Sequence, residues 1–207
     1  RGLGDVYKRQ VEKQYKKFTK YFHNSAIQEN IQESKEEQFQ EGFLRELFVN
    51  VLGYTLNPSK DYNLTTELKN EKGAKKADGA ILKEGNAVAV IELKSTKTKD
   101  LEKVRQQAFD YKANQSNCVY VVTSNFEKLR FYIDNAVEFE EFDLFNLNFE
   151  RFKLLFLCLD QSNLLDNTPL QIKNSSIREE EIITKKFYSD YSTFKRELFR
   201  DLVKLNV

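Results

Sequence analysis

Residues 75–96 read KKADGAILKEGNAVAVIELKST, two short apolar runs broken at Glu84, Gly85 and Asn86. Such runs around a Gly-containing break form a β-hairpin. The second run, Ala87–Ile91, is apolar throughout, as in a strand buried on both faces, and CVYVVTS at 118–124 has the same character. Between them DLEKVRQQAFDYKAN, 100–114, has the spacing of an amphipathic helix. Strand, helix and strand in that order predict a right-handed parallel crossover beside an antiparallel hairpin. Few architectures satisfy both: the chain is expected to be α/β, with a mixed sheet flanked by helices.

The remaining elements extend that core. Residues 11–23 read as a basic helix and 30–52 as one longer helix, with Ile31, Phe39, Phe43, Leu44, Leu47, Phe48 and Val51 on its apolar face. LGY and Pro58 end it. YNLTTELK, 62–69, reads as a strand, and LRFYI with AVEFEEF as a hairpin turning at Asp134–Asn135. Phe149–Leu159 reads as a helix, and 178–205 as a long charged helix without a strand partner. The first ten residues, RGLGDVYKRQ, resemble a translated sequencing-adaptor segment and are set aside as non-native. The absent initiator Met predicts a natural N-terminus further upstream. The expected organisation is one domain over 11–165 and a helical connector over 166–207 that begins a further region.

Composition narrows the chemistry. The net charge of +1 gives no global basic field, so any DNA contact must come from a local patch. No apolar run approaches the roughly 20 residues of a membrane span. Cys118 and Cys158 sit in apolar runs and read as buried thiols of a reducing, cytoplasmic compartment. Two isolated Cys and one His do not make a zinc site. That His, His23, lies at a helix end and reads as a solvated cap, which leaves no histidine for catalysis.

Three charges in the hairpin remain. With Glu84–Asn86 as a three-residue turn, partners have numbers summing to 170, so Asp78 faces Glu92. Facing Cβ atoms lie about 4.5–5.5 Å apart, where two carboxylates repel unless a cation lies between them. Lys94, two residues on, points to the same face, where an ammonium can orient or deprotonate a water and steady a developing anion. A two-residue turn shifts the pairing by one.

ADGAI…VAVIELK resembles the PD-(D/E)XK nuclease superfamily, with Asp78 as the motif aspartate and Glu92-Leu93-Lys94 as its E-x-K. The resemblance covers about residues 30–135; Ala77 stands where the motif has proline. It implies a restriction-endonuclease-like αβββαβ core, one or two Mg²⁺ ions held by Asp78 and Glu92, and hydrolysis of DNA phosphodiesters. Gln107 and Tyr111 in QAFDY resemble the Q-x-x-x-Y motif of RecB-like nucleases, which borders the active site.

Many such nucleases carry one more carboxylate on the first helix. At about 100° per residue the apolar face of 30–52 is centred near Glu37, with Glu41 inside it and Glu46 at its edge, so Glu37 is the first candidate ligand among the three. Lys75, Lys76, Lys97 and Lys99, with Lys72, Lys103 and Arg105, could neutralise phosphates near the hairpin mouth. FLRELFVNVLGY and the C-terminal FKRELFRDLVKLN resemble the N-terminal part of type IIG restriction-modification proteins. That resemblance implies double-stranded DNA as partner, with downstream adenine-specific methyltransferase and target-recognition domains of the same chain. S-adenosylmethionine would enter only with that methyltransferase. A RecB-like repair nuclease and a non-catalytic DNA-binding module of the same fold are the alternatives.

Overall fold

The computed structural model describes residues 3–69 and 75–177. It contains a six-stranded sheet in the order β1-β2-β3-β4-β5-β6, with helices on both faces. The strands are β1 Leu64–Lys69, β2 Lys76–Lys83, β3 Asn86–Leu93, β4 Tyr120–Ser124, β5 Lys128–Ile133 and β6 Phe139–Asp143. Only β3 and β4 pair in parallel, joined by α4, Glu102–Ala113; every other neighbouring pair is antiparallel. The α/β expectation and the crossover therefore hold. All five residues of β4 are buried, as its unbroken apolar run requires.

The larger core lies on one face. There α1 (Leu3–Phe22), α2 (Ser25–Glu33), α3 (Glu36–Phe43) and α5 (Phe149–Leu159) bring side chains onto Ile81, Ile91, Leu93 and Val122. Phenylalanines fill the volume that Met and Trp would otherwise take; Phe126 lies 4.9 Å from Phe39 and 5.3 Å from Phe43, ring centre to ring centre. On the other face α4 packs Ala108 and Tyr111 against Val90, Val121 and Tyr132. Both cysteines are buried free thiols whose pKa burial pushes up to about 12, so they act as small hydrophobes.

The segment read as one helix over 30–52 is three pieces. Ser34 and Lys35 are extended and separate α2 from α3, and Leu44–Val49 continues α3 as a π-helix. Among the described residues α1 runs from Leu3, with Tyr7 edge-on to Phe156 at 6.1 Å, so the helix starts earlier than the expected 11–23. His23 is not a solvated cap. Its ring is half-buried beside Phe18 and Tyr15, and burial lowers its pKa. The short α6, Gln161–Leu165, leads to α7, Thr168–Ile177, which is tied to the sheet: Lys173 donates to the Ile133 carbonyl at 2.6 Å and the Leu170 N–H to the Tyr120 hydroxyl at 3.3 Å. The helix expected over 178–205 lies outside the described residues.

The hairpin corrects one step of the register argument. Glu84 and Gly85 both have positive φ, 50° and 81°, so the turn has two residues rather than three. Lys83 then pairs with Asn86 and Leu82 with Ala87, but Ile81 pairs with Ala89. Val88 is the extra residue of a β-bulge, which restores the offset that the shorter turn removes. Gly85→Ala is expected to cost about 1 kcal/mol in chemical denaturation, because alanine is strained at that φ.

Candidate functional site

Past the bulge, Gly79 pairs with Ile91, and Asp78 and Glu92 are the next residues on the two strands. Asp78 sits where β2 enters the sheet; its Oδ2 accepts a 2.8 Å hydrogen bond from the Leu93 N–H. Glu92, near the end of β3, is 1% exposed. Its Oε1 accepts from Lys94 Nζ at 2.8 Å and from Gln107 Nε2 at 2.5 Å. Its Oε2 is buried without a hydrogen-bond partner. Lys94 Nζ also reaches Glu36 Oε1 at 3.4 Å and the Leu93 carbonyl at 3.2 Å.

Helix α4 lays its polar edge over this cluster. Gln107 bridges Glu92 and the Tyr111 hydroxyl, the latter at 3.1 Å, so the four-residue spacing serves one face as a helix requires. Helix α3 approaches from the other side. Gln40 lies beside Asp78, which it helps keep ionised, and donates at 3.4 Å to Glu36 one turn before it. The structure thus joins Asp78, Glu92, Lys94, Gln107 and Tyr111.

Glu37, the first candidate for the helical carboxylate, is exposed; Glu36 is the residue that meets Lys94. Glu41 pairs with Arg45 at 2.7 Å, and Glu46 accepts from Asn50 at 3.1 Å. The phase argument assumed one continuous α-helix. The break at Ser34–Lys35 and the π-helical turn, which rotates less per residue, move the face that meets the sheet. SKEE, Ser34–Glu37, has the S-x-x-E pattern of a helix start, but the helix begins one residue later, with Lys35 as N-cap and Gln38 closing the box, and Glu36 and Gln40 then share one face.

The expected phosphate contacts separate into two groups. Lys75 and Lys97 are exposed. Lys76 pairs with Glu67 at 2.9 Å and Lys99 with Glu127 at 3.5 Å, so part of their charge is already met. Arg105 donates to the Ala136 carbonyl at 2.9 Å and pairs with Glu102. Lys72 lies outside the described residues.

Burial pushes the Glu92 carboxyl up to about 7; the Lys94 hydrogen bond opposes this and the charge of Asp78 adds to it. Burial also raises Asp78, against the pull of the Leu93 N–H and Lys94. Burial alone would lower the Lys94 ammonium, but Glu92, Glu36 and Asp78 together hold it above its ordinary value. With its proton on, Lys94 is a hydrogen-bond donor to the groups around it.

Do these residues fit a divalent cation? Fully ionised, Asp78, Glu92 and Glu36 carry −3 and Lys94 +1, a sum of −2. Glu92 Oε2 has unspent acceptor capacity. Among the described residues no group of three or more His, Cys, Asp or Glu is placed to cage an ion. Mg²⁺ does not need such a cage: it keeps several waters and binds through one or two carboxylates plus substrate phosphates. The donor set fits Mg²⁺ and not a soft metal.

The sheet and the cluster at the ends of β2 and β3 lie within a segment whose family match marks a restriction-enzyme nuclease-related domain. The chain belongs to the family of the type I restriction enzyme R protein N terminus (HSDR_N), whose model matches residues 35–144, more than half of its length. The match runs from the N-cap of α3 to just past β6 and so contains the whole sheet and the cluster. DNA is the partner this family implies. No curated protein and no solved structure gives a match. No helix among the described residues is long and apolar enough to cross a membrane.

Proposed function

We propose that this domain is a metal-dependent deoxyribonuclease of the PD-(D/E)XK type, hydrolysing DNA phosphodiesters. The observation that carries the reading is the convergence of Asp78, Glu92, Glu36 and Lys94 in one cluster of formal charge −2, with one Glu92 oxygen unspent. Asp78 and Glu92 would hold Mg²⁺, which when bound neutralises phosphate charge and lowers the pKa of a water. Lys94 would donate to the developing anion, and the proton of the attacking water would pass to solvent. Gln107 holds Glu92 in place and is itself held by Tyr111. Glu36 and Gln40 fix Lys94 and Asp78 from the α3 side. Lys75 and Lys97 are the exposed candidates for phosphate contact, which positions DNA without reading its sequence.

The contact of Gln107 with Glu92, and of Tyr111 with Gln107, favours a second reading, a RecB-like repair nuclease, since those residues carry that resemblance. Their chemistry is the same; the surrounding gene distinguishes them. A methyltransferase encoded downstream supports the type IIG arrangement, with S-adenosylmethionine as that enzyme's cofactor. A non-catalytic module would have no need of an intact Asp, Glu and Lys.

The test is nicking of supercoiled plasmid by the purified chain in Mg²⁺ and in EDTA, beside Glu92→Ala. Nicking is expected only from the wild type in Mg²⁺. Equal nicking by the variant places the active site elsewhere, and an inert wild type supports the non-catalytic reading.

A further inference from the structure

Oxygen-bearing side chains from three neighbouring strands meet around Glu92. The β3–β4 register sets Glu92 directly beside Thr123, and Asp78, next after the Gly79–Ile91 pair, lies near Glu92 on its other side. Residues at one level of a sheet point to the same face. Thr123 is 0% exposed, and its hydroxyl has no hydrogen-bond partner. The Oε2 of Glu92 is in the same condition, while Oε1 is already taken by Lys94 and Gln107. The Tyr132 hydroxyl is a further buried orphan, but it lies against Arg130.

An unpartnered acceptor and an unpartnered donor on adjacent strands answer each other chemically. A threonine hydroxyl carries one O–H and rotates between staggered wells, and an ionised carboxylate oxygen accepts only. We propose that Thr123 is a positioning residue of this site: its hydroxyl turns to donate to Glu92 Oε2 and holds the ionised carboxylate against Asp78. The contact itself does not require a metal; its consequence for Mg²⁺ rests on the reading above. Groups that orient a metal-binding carboxylate typically alter affinity by about 10–100-fold when removed.

The experiment is a double-mutant cycle on the full chain, by chemical denaturation in EDTA at pH 8, with Thr123→Val, Thr123→Ser, Glu92→Met and the doubles. Valine keeps the shape and removes the hydroxyl; serine keeps the hydroxyl and removes the methyl. Thr123→Val is expected to lower the folded-to-unfolded ratio by roughly 10-fold when Glu92 is present. In the Glu92→Met background, where the neighbouring side chain is apolar, the same change should lower it by less than about 3-fold. Serine should restore most of the loss. A Thr123→Val chain that folds only in the Glu92→Met background is the same result in stronger form. Equal losses in both backgrounds, unfolding in both included, overturn the proposal. Titration calorimetry with Mg²⁺ forms the second arm: valine should weaken binding by about 10-fold and serine should not. A wild type that takes up no Mg²⁺ while the cycle stays non-additive removes the metal reading and leaves the Thr123 contact standing. An additive cycle in a chain that binds Mg²⁺ does the reverse.

Discussion

Lys94→Ala is expected to lower Mg²⁺-dependent DNA cleavage by roughly 10²-fold or more, the scale of one electrostatic or acid–base group. The reason is position and charge together. Nζ is held at 2.8 Å from Glu92 and 3.4 Å from Glu36, so the ammonium stands beside the two carboxylates without diffusing among rotamers. Its raised pKa keeps the proton on, so its contribution is donation to the developing anion. Removing it leaves Asp78 and Glu92 in place. The variant should therefore still gain thermal stability from Mg²⁺, as any ligand that binds only the folded state confers. Asp78→Asn should lose that gain. Cleavage by Lys94→Ala at the wild-type rate would show that the E-x-K resemblance has no catalytic content here, even with a real metal site.

The second large effect is on stability and has a defined sign. The Glu92 carboxyl, ordinarily near 4.5, is pushed up to about 7 in the fold. The folded chain thus keeps a proton that the unfolded chain releases. The associated stability is fully present below about pH 4.5, declines as pH rises and is lost above about pH 7. The loss is roughly 3 kcal/mol, or about 10 °C in melting temperature for a chain of this size. Asp160, raised by burial to about 6, contributes with the same sign, so the comparison must be with a variant. In EDTA, Glu92→Gln is expected to show a clearly flatter melting temperature between pH 5 and 8 than the wild type. Added Mg²⁺ at pH 8 should restore much of the wild-type loss. Parallel pH profiles of the two proteins would mean that Glu92 ionises as readily in the fold as in the unfolded chain.

The hairpin illustrates how far local patterns reach. The offset of the sum rule is restored as far as Gly79 and Ile91, the residues next to Asp78 and Glu92, but by two shifts that cancel: a two-residue turn at Glu84–Gly85 and a bulge at Val88. Neither is written in the apolar alternation, because turn type depends on positive φ and the bulge is a shift in the β2–β3 pairing itself. The helical carboxylate fared differently. A single phase carried from Ile31 to Val51 pointed to Glu37, whereas the chain restarts its helix at Lys35 and brings Glu36 inward.

What the sequence determined by itself was the order of elements, the parallel crossover and the burial of β3 and β4. Those follow from strand and helix periodicities, which each segment carries independently of its neighbours. It also placed Asp78, Glu92 and Lys94 on one hairpin, a local object, although their register depended on a turn and a bulge that the pattern does not show. Only the tertiary structure decided which groups surround them. Glu36 and Gln40 arrive on α3, Gln107 and Tyr111 on α4, and Thr123 on a strand reached after that crossover. The packing of those elements sets the burial of Glu92, and with it the proton affinities and unspent oxygens. No periodicity encodes these, because they belong to the space between segments and not to any one of them.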